Sequence, residues 1–166
     1  MRPLSFTPAE KLKQEVAELL THYPEGEQRS ASLMVLHAIQ SEAGYISKEA
    51  MQWAAGEIGI APLNLYELVT FYPMLREEQP GKYVLKVCRT LSCALAGGTD
   101  LHKNLCSKLK LDPKKHGLQT TDDKKFSIEF AECLASCGTG PVMMCNDDFY
   151  EAVDNGKADE ILGGCE

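Results

Sequence analysis

No window of the sequence approaches the roughly 18 consecutive apolar residues that cross a bilayer, so no membrane span is expected. The start, MRPLSFTPAEKLK, has no apolar stretch of signal-peptide type, which favours a soluble, cytoplasmic protein. Basic residues are not in excess: 17 Lys and Arg stand against 24 Asp and Glu, for a net charge of −7. The imbalance argues against nucleic acid or an anionic membrane as the main partner. No Cys-x-x-Cys is present, so the usual redox dithiol is missing. The Gly97-Gly98 pair lacks the Lys-Ser/Thr that a phosphate loop needs. No Ser/His/Asp arrangement and no flavin or nicotinamide fingerprint is visible, which leaves the chain without a complete active site of its own. There is no internal repeat and no low-complexity tract.

What remains is enough for a real core, at 44% hydrophobic over 166 residues. Residues 1–80 read as a bundle of four short amphipathic helices. Thr7, Pro8 and Glu10 carry a capping-box pattern before Leu12, Val16, Leu19 and Leu20 at helical spacing. A second helix is expected from about Gln28 or Ser30 to Ala43, with Gly44 at its C-terminal cap. Ser47 caps a third, which Gly59 follows, and Pro62 opens a fourth that Pro73 stops.

Near Gln79-Pro80-Gly81 the periodicity changes, and residues 81–166 read as a second domain. Lys82–Cys88 and Phe126–Phe130 alternate like strands. Val142–Cys145 and Phe149–Val153 give two more, joined by a turn at Asn146-Asp147-Asp148. Gly97-Gly98-Thr99 leads into a helix, Lys108–Lys125 is loop-like, and a short helix from about Lys157 to Leu162 closes the chain. The order β-α-β-β-β-α predicts an α/β (α+β) sandwich with a mixed four-stranded sheet.

Four of the seven cysteines fall into two close pairs, Cys88 with Cys93 and Cys133 with Cys137, about forty residues apart. Each pair sits where a strand gives way to a loop. Two loops that each supply two thiolates suit a 2Fe–2S cluster, in which each iron takes two protein sulfurs. Backbone N–H groups of Arg89–Ser92 and Leu134–Ser136 are expected to face its sulfurs. Structural zinc is the first rival, although zinc knuckles space their ligands more tightly; four buried free cysteines are another. An odd number of thiols in a reducing compartment is not a disulfide framework. Cys106 is expected to pack on a helix, Cys145 to end a strand, and Cys165 to lie exposed in the tail. His37 reads as a core or partner-facing histidine, and His22, His102 and His116 as isolated.

VCRTLSC and AECLASCGTGPVMMCNDDFYEAV resemble the two cluster segments of the thioredoxin-like 2Fe–2S ferredoxin subunit of NADH–quinone oxidoreductase, respiratory complex I. GYISKEAMQWAAGEIGIAPLNLYELVTFYPML is similar to the helical part of that family. The resemblance implies a helical bundle followed by a thioredoxin-like domain. It implies Cys88 and Cys93 on one iron, Cys133 and Cys137 on the other. It further implies a partner subunit that binds FMN and NADH, where NADH reduces the flavin by hydride transfer. By the same resemblance, the cluster of this chain accepts or holds one electron beside the main path. A place peripheral to the inner face of the cell membrane follows, within a larger complex. The same subunit type serves NAD-linked hydrogenases and formate dehydrogenases. Where many relatives carry Asn-Ala-Pro after the last ligand, this chain has Gly138-Thr139-Gly140-Pro141. The departure keeps the spacing, makes Ser136 a candidate donor to a cluster sulfur, and makes Pro141 a candidate cis proline.

Overall fold

The computed structural model describes residues 6–166; residues 1–5, the start of the expected helical domain, lie outside them. The chain divides into two compact units, Met1–Gln79 and Pro80–Glu166.

The first unit holds α1 (Glu10–Thr21), a 3-10 turn (Gln28–Ala31), α2 (Ser32–Ala43), α3 (Lys48–Ile58) and α4 (Pro62–Phe71). Its ends are set by local chemistry. The Ser47 hydroxyl accepts the Ala50 N–H at 3.1 Å to start α3. Gly44 and Gly59 end α2 and α3 in the left-handed conformation, each at φ 80°. The expected Thr7 cap does not form: α1 starts at Glu10, with Ala9 at the cap position. The Ala9 N–H instead reaches the Glu42 carboxylate of α2 at 3.3 Å, so a tertiary acceptor takes the place of the local one. Leu12 and Val16 of α1 bury against Val35, Leu36 and Ile39 of α2, Ala54 of α3 and Leu65 of α4.

The second unit holds β1 (Tyr83–Cys88), α5 (Leu91–Leu95), α6 (Gly98–Leu109), β2 (Gln119–Thr120), β3 (Phe126–Ala131), a 3-10 turn (Cys137–Thr139), β4 (Met143–Cys145), β5 (Asp148–Tyr150) and α7 (Asn155–Gly163). The sheet is mixed, as expected, but it has five strands and not four, in the order β2-β3-β1-β4-β5. The extra strand is β2, too short to show any alternation. It exists because the Gln119 amide donates to the Asp112 carbonyl at 2.8 Å and accepts the Asp112 N–H at 3.1 Å, which folds the lysine-rich segment back on itself. The short helix α5 is likewise an addition to the expected elements.

β1 and β3 run parallel, with Leu85 opposite Ile128 and Cys88 opposite Ala131. The other pairings are antiparallel. Leu85, Val87 and Ile128 of the sheet bury with Leu101 and Leu105 of α6 and Ala158 and Ile161 of α7. The parallel pair decides where the cysteines go, because both of its strands finish at the same end of the sheet.

Candidate metal centre

Cys88 is the last residue of β1, and Cys93 lies inside α5, which begins three residues later. The two thiols are buried in one cluster, together with Val142 and the half-buried Leu134. Cys133 and Cys137 leave β3 on the neighbouring loop, and both are exposed. The two loops meet: the Leu134 N–H reaches the Cys88 sulfur, and Cys137 lies close enough to Cys93 to perturb its charge. A buried pair and an exposed pair thus lie on two segments that meet beyond the same end of the parallel strands.

Several contacts fix that meeting. The Arg89 N–H donates to the Ala131 carbonyl at 3.0 Å, and the Cys88 N–H donates to the Val142 carbonyl at 3.1 Å. The Arg89 guanidinium forks onto the Glu132 carboxylate, and the Thr90 hydroxyl donates to the Glu132 carbonyl. The two residues that follow Cys88 therefore hold the one that precedes Cys133. Gly140 closes against Cys93: a Cβ there would stand 3.5 Å from the Cys93 sulfur and 3.3 Å from the Ala96 Cβ. Gly98 sits tighter still, where a Cβ would lie 2.8 Å from the Cys93 carbonyl oxygen and 2.9 Å from that of Cys88. The Gly140-Pro141 peptide bond is cis, as the resemblance suggested.

The electrostatics favour negative sulfur at Cys88 and oppose it at Cys93. Burial raises the Cys88 thiol, but N–H groups of Thr90 and Leu134, with the Cys93 and Thr90 side chains, outweigh it and bring the thiol below its ordinary value. Cys93 moves the other way, through burial and through its hydrogen bond to Cys88. At the open pair, the Ala135 N–H points to the Cys133 sulfur at 3.4 Å. Ala135 adopts φ 58° there, a left-handed backbone rare for alanine.

These donors fit a thiolate-held, negatively charged group. They come from the two segments expected to supply them. Among the described residues, no three His, Cys, Asp or Glu side chains gather closely enough to hold a single metal ion.

Other expectations are corrected. Ser136 does not face the thiols: its hydroxyl lies 2.7 Å from that of Thr139, and both donate to the Glu151 carboxylate, which they hold below the ordinary glutamate range. Cys165 is not exposed in the tail. It is buried beside Cys145, with the two sulfurs 3.9 Å apart. Cys106 packs as expected, against the buried His102, whose ring stacks on Phe130 at 3.8 Å. His22, His37 and His116 are exposed. Neither the Arg89–Glu132 tie nor the Glu151 network carries a sequence signal beyond the presence of charged and hydroxyl residues near the thiols.

The family model described as "Thioredoxin-like [2Fe-2S] ferredoxin" matches residues 16–166. A subunit of the NADH-quinone oxidoreductase of Rickettsia conorii is 35% identical over 159 residues, which cover 95% of this chain and 93% of that protein. "NADH-quinone oxidoreductase subunit 2" of Thermus thermophilus is 35% identical over 148 residues, covering 89% of this chain and 80% of that one. Among solved structures, "Crystal structure of NAD+-reducing [NiFe]-hydrogenase in the air-oxidized state" superposes with a TM-score of 0.68 at 18% identity. It covers 80% of this chain and 22% of its own, and at that identity the likeness concerns the fold. Paired thiols at the mouth of a parallel strand pair, in a chain matched by that family model almost throughout, mean that this chain belongs to the thioredoxin-like [2Fe-2S] ferredoxins.

Proposed function

We propose that this chain is the electron-transfer subunit of the NADH dehydrogenase module of a respiratory NADH–quinone oxidoreductase. In this reading Cys88, Cys93, Cys133 and Cys137 hold its one 2Fe–2S cluster, with Cys88 and Cys93 on one iron and Cys133 and Cys137 on the other. The observation that carries the reading is that two thiol pairs, one buried and the other exposed, follow the two parallel strands at the same end of the sheet. Bound there, the cluster takes up and gives back one electron. The chain's own residues do the rest. Thr90 and Leu134 aim N–H groups at the Cys88 sulfur, Leu134 and Val142 keep water from the buried pair, and the Arg89–Glu132 fork holds the two loops in register.

The reading divides labour along the chain, with residues 81–166 carrying the cluster and the four-helix part, residues 1–80, supporting assembly. The partner is a flavoprotein that binds FMN and NADH, and it covers the open side. Two features support such docking. Leu91 and Leu95 flank Cys93 on α5 at 71% and 80% exposure. Phe71 and Leu63 of the helical unit are 75% and 64% exposed. These apolar side chains favour burial against a partner. Among the described residues no helix is long and apolar enough to cross a membrane; the reading puts the chain at the cytoplasmic side of the membrane, held through other subunits. The relatives at 35% identity favour a quinone oxidoreductase over the diaphorase of an NAD-linked hydrogenase, because the hydrogenase likeness is one of fold.

The test has two arms. Protein isolated without air is assayed for iron, acid-labile sulfide and an EPR signal after dithionite reduction. Equal iron and sulfide with such a signal is expected, and a colourless zinc protein overturns the ligand assignment. Tagged chain is then recovered from its own cells. A co-purifying FMN protein that oxidises NADH is expected, and a stable homodimer without flavin overturns the assignment to a dehydrogenase module.

A further inference from the structure

Away from the cluster loops, the second unit brings together two thiols that electron transfer does not use. Cys145 ends β4, and Cys165 follows α7 twenty residues later. Their sulfurs lie 3.9 Å apart, and the residues are only 5% and 8% exposed. Neither sulfur is placed by accident of a loose tail. The Cys165 sulfur is within 3.2 Å of the Ile161 carbonyl oxygen, one helical turn back. The next residue is held from the other side, where Lys82 Nζ and the Tyr83 hydroxyl both donate to the Glu166 carbonyl, at 2.6 and 2.9 Å. The pair is also reachable. A pocket of about 360 Å³ is lined by both cysteines together with Asp148, Tyr150, Lys157 and Glu160.

We infer that Cys145 and Cys165 form a modification site, a dithiol that a small oxidant entering this pocket converts to an intramolecular disulfide. The chemical class of oxidant is hydrogen peroxide or a low-molecular-weight disulfide. With peroxide, one of the two sulfurs attacks one oxygen and the O–O bond breaks, leaving a sulfenic acid and one water. The other sulfur then displaces the hydroxyl from the sulfenic sulfur, the S–S bond forms, and a second water leaves with the remaining proton. Two thiols lose two electrons and two protons, and peroxide is reduced to two waters. Burial, with Cys165 and Asp148 beside it, pushes the Cys145 thiol up to about 12. Closing the contact to a bonded length needs an approach of about 2 Å, within reach of side-chain rotation and a small shift of the residue after α7. The bond closes a loop of twenty residues and fastens α7 to β4.

The full-length protein, as purified, is exposed to excess hydrogen peroxide, or separately to glutathione disulfide. It is then quenched in acid, alkylated and cut with trypsin. Cleavage after Lys125 and Lys157 leaves Cys145 in the peptide 126–157 and Cys165 in 158–166. The expected product is these two peptides joined, lighter by two hydrogens than their sum, with Cys145 and Cys165 as the linked residues. Reductant separates them, and Cys165→Ser abolishes the link while the iron content of the untreated variant equals that of the untreated wild type. The inference is overturned if both thiols remain alkylated, or if either accumulates as a sulfinic acid or mixed disulfide without the link. Cross-links through Cys133 or Cys137 in its place also overturn it. The outcome is read on peptides and does not depend on the electron-transfer reading.

Discussion

Replacing Gly98 with alanine tests whether the wall behind the buried thiols is as tight as it looks. Gly98 opens α6 and is buried, and its Cα faces the carbonyls of Cys88 and Cys93. A Cβ would lie 2.8 and 2.9 Å from those two oxygens, where ordinary contact begins at 3.4 Å. The overlap of about 0.6 Å cannot be relieved by rotating a side chain, since both neighbours are backbone; either α6 or the Cys88–Cys93 segment must move. Overpacking of this kind costs about 1–3 kcal/mol. Alanine returns up to ~1 kcal/mol through its better helix propensity, and less than that at a helix end. The net expectation is a loss of roughly 1–2 kcal/mol, or about 5–15 °C in the melting midpoint of a unit this size. The displaced atoms are the backbones of two candidate ligands, so the cluster's visible circular dichroism should change as well. Gly138→Ala is the control: it neighbours Cys137, but nothing lies within 4 Å of its would-be Cβ. Thermal melts and visible spectra of both variants decide the matter. A Gly98→Ala protein that melts at or above the wild type with an unaltered spectrum refutes the packing argument.

Serine at Cys88, Cys93, Cys133 or Cys137 should destroy or strongly alter the iron–sulfur spectrum, whereas Cys106→Ser should leave it intact; absorption and EPR of the five proteins check this. Removing the exposed Arg89–Glu132 tie by Arg89→Ala should cost less than about 1 kcal/mol in a melt yet speed bleaching by an iron chelator, and equal bleaching rates would show that the fork does not hold the loops. Burial keeps the His102 imidazole below its ordinary value of 6.5, so in acid the unfolded chain binds the extra proton and the folded chain does not. The stability from His102 is therefore complete above about pH 6.5 and declines below it, by at most ~1.4 kcal/mol per pH unit. Denaturant titrations of wild type and His102→Leu should show their difference shifting against the wild type as pH falls, and a constant difference would contradict a buried neutral ring.

The sequence made some features plain and hid others, for physical reasons. Ser47, Gly44, Gly59 and Pro62 mark helix ends by local chemistry that no tertiary contact overrules, and α2, α3 and α4 begin or end on them. Thr7 was misleading because Glu42, far along the chain, satisfies the Ala9 N–H. β2 could not be seen, since two residues have no periodicity and its place depends on the Gln119 side chain. The two candidate ligand pairs were legible because their members are close in sequence. The Cys145–Cys165 contact was not, because it exists only once α7 has folded back over β4. Ser136 looked like a sulfur donor by adjacency alone, and Glu151, fifteen residues on, captured it.

The parallel register of β1 with β3 has one more consequence. Cys88 stands opposite Ala131, so the two halves of the thiol set come to the same end of the sheet only when that ladder is zipped correctly. A slip by a single residue would turn the Cys88 side chain to the opposite face of the sheet. In the proposed reading, cluster binding would therefore report on folding, since a misaligned chain would present only half of the thiol set.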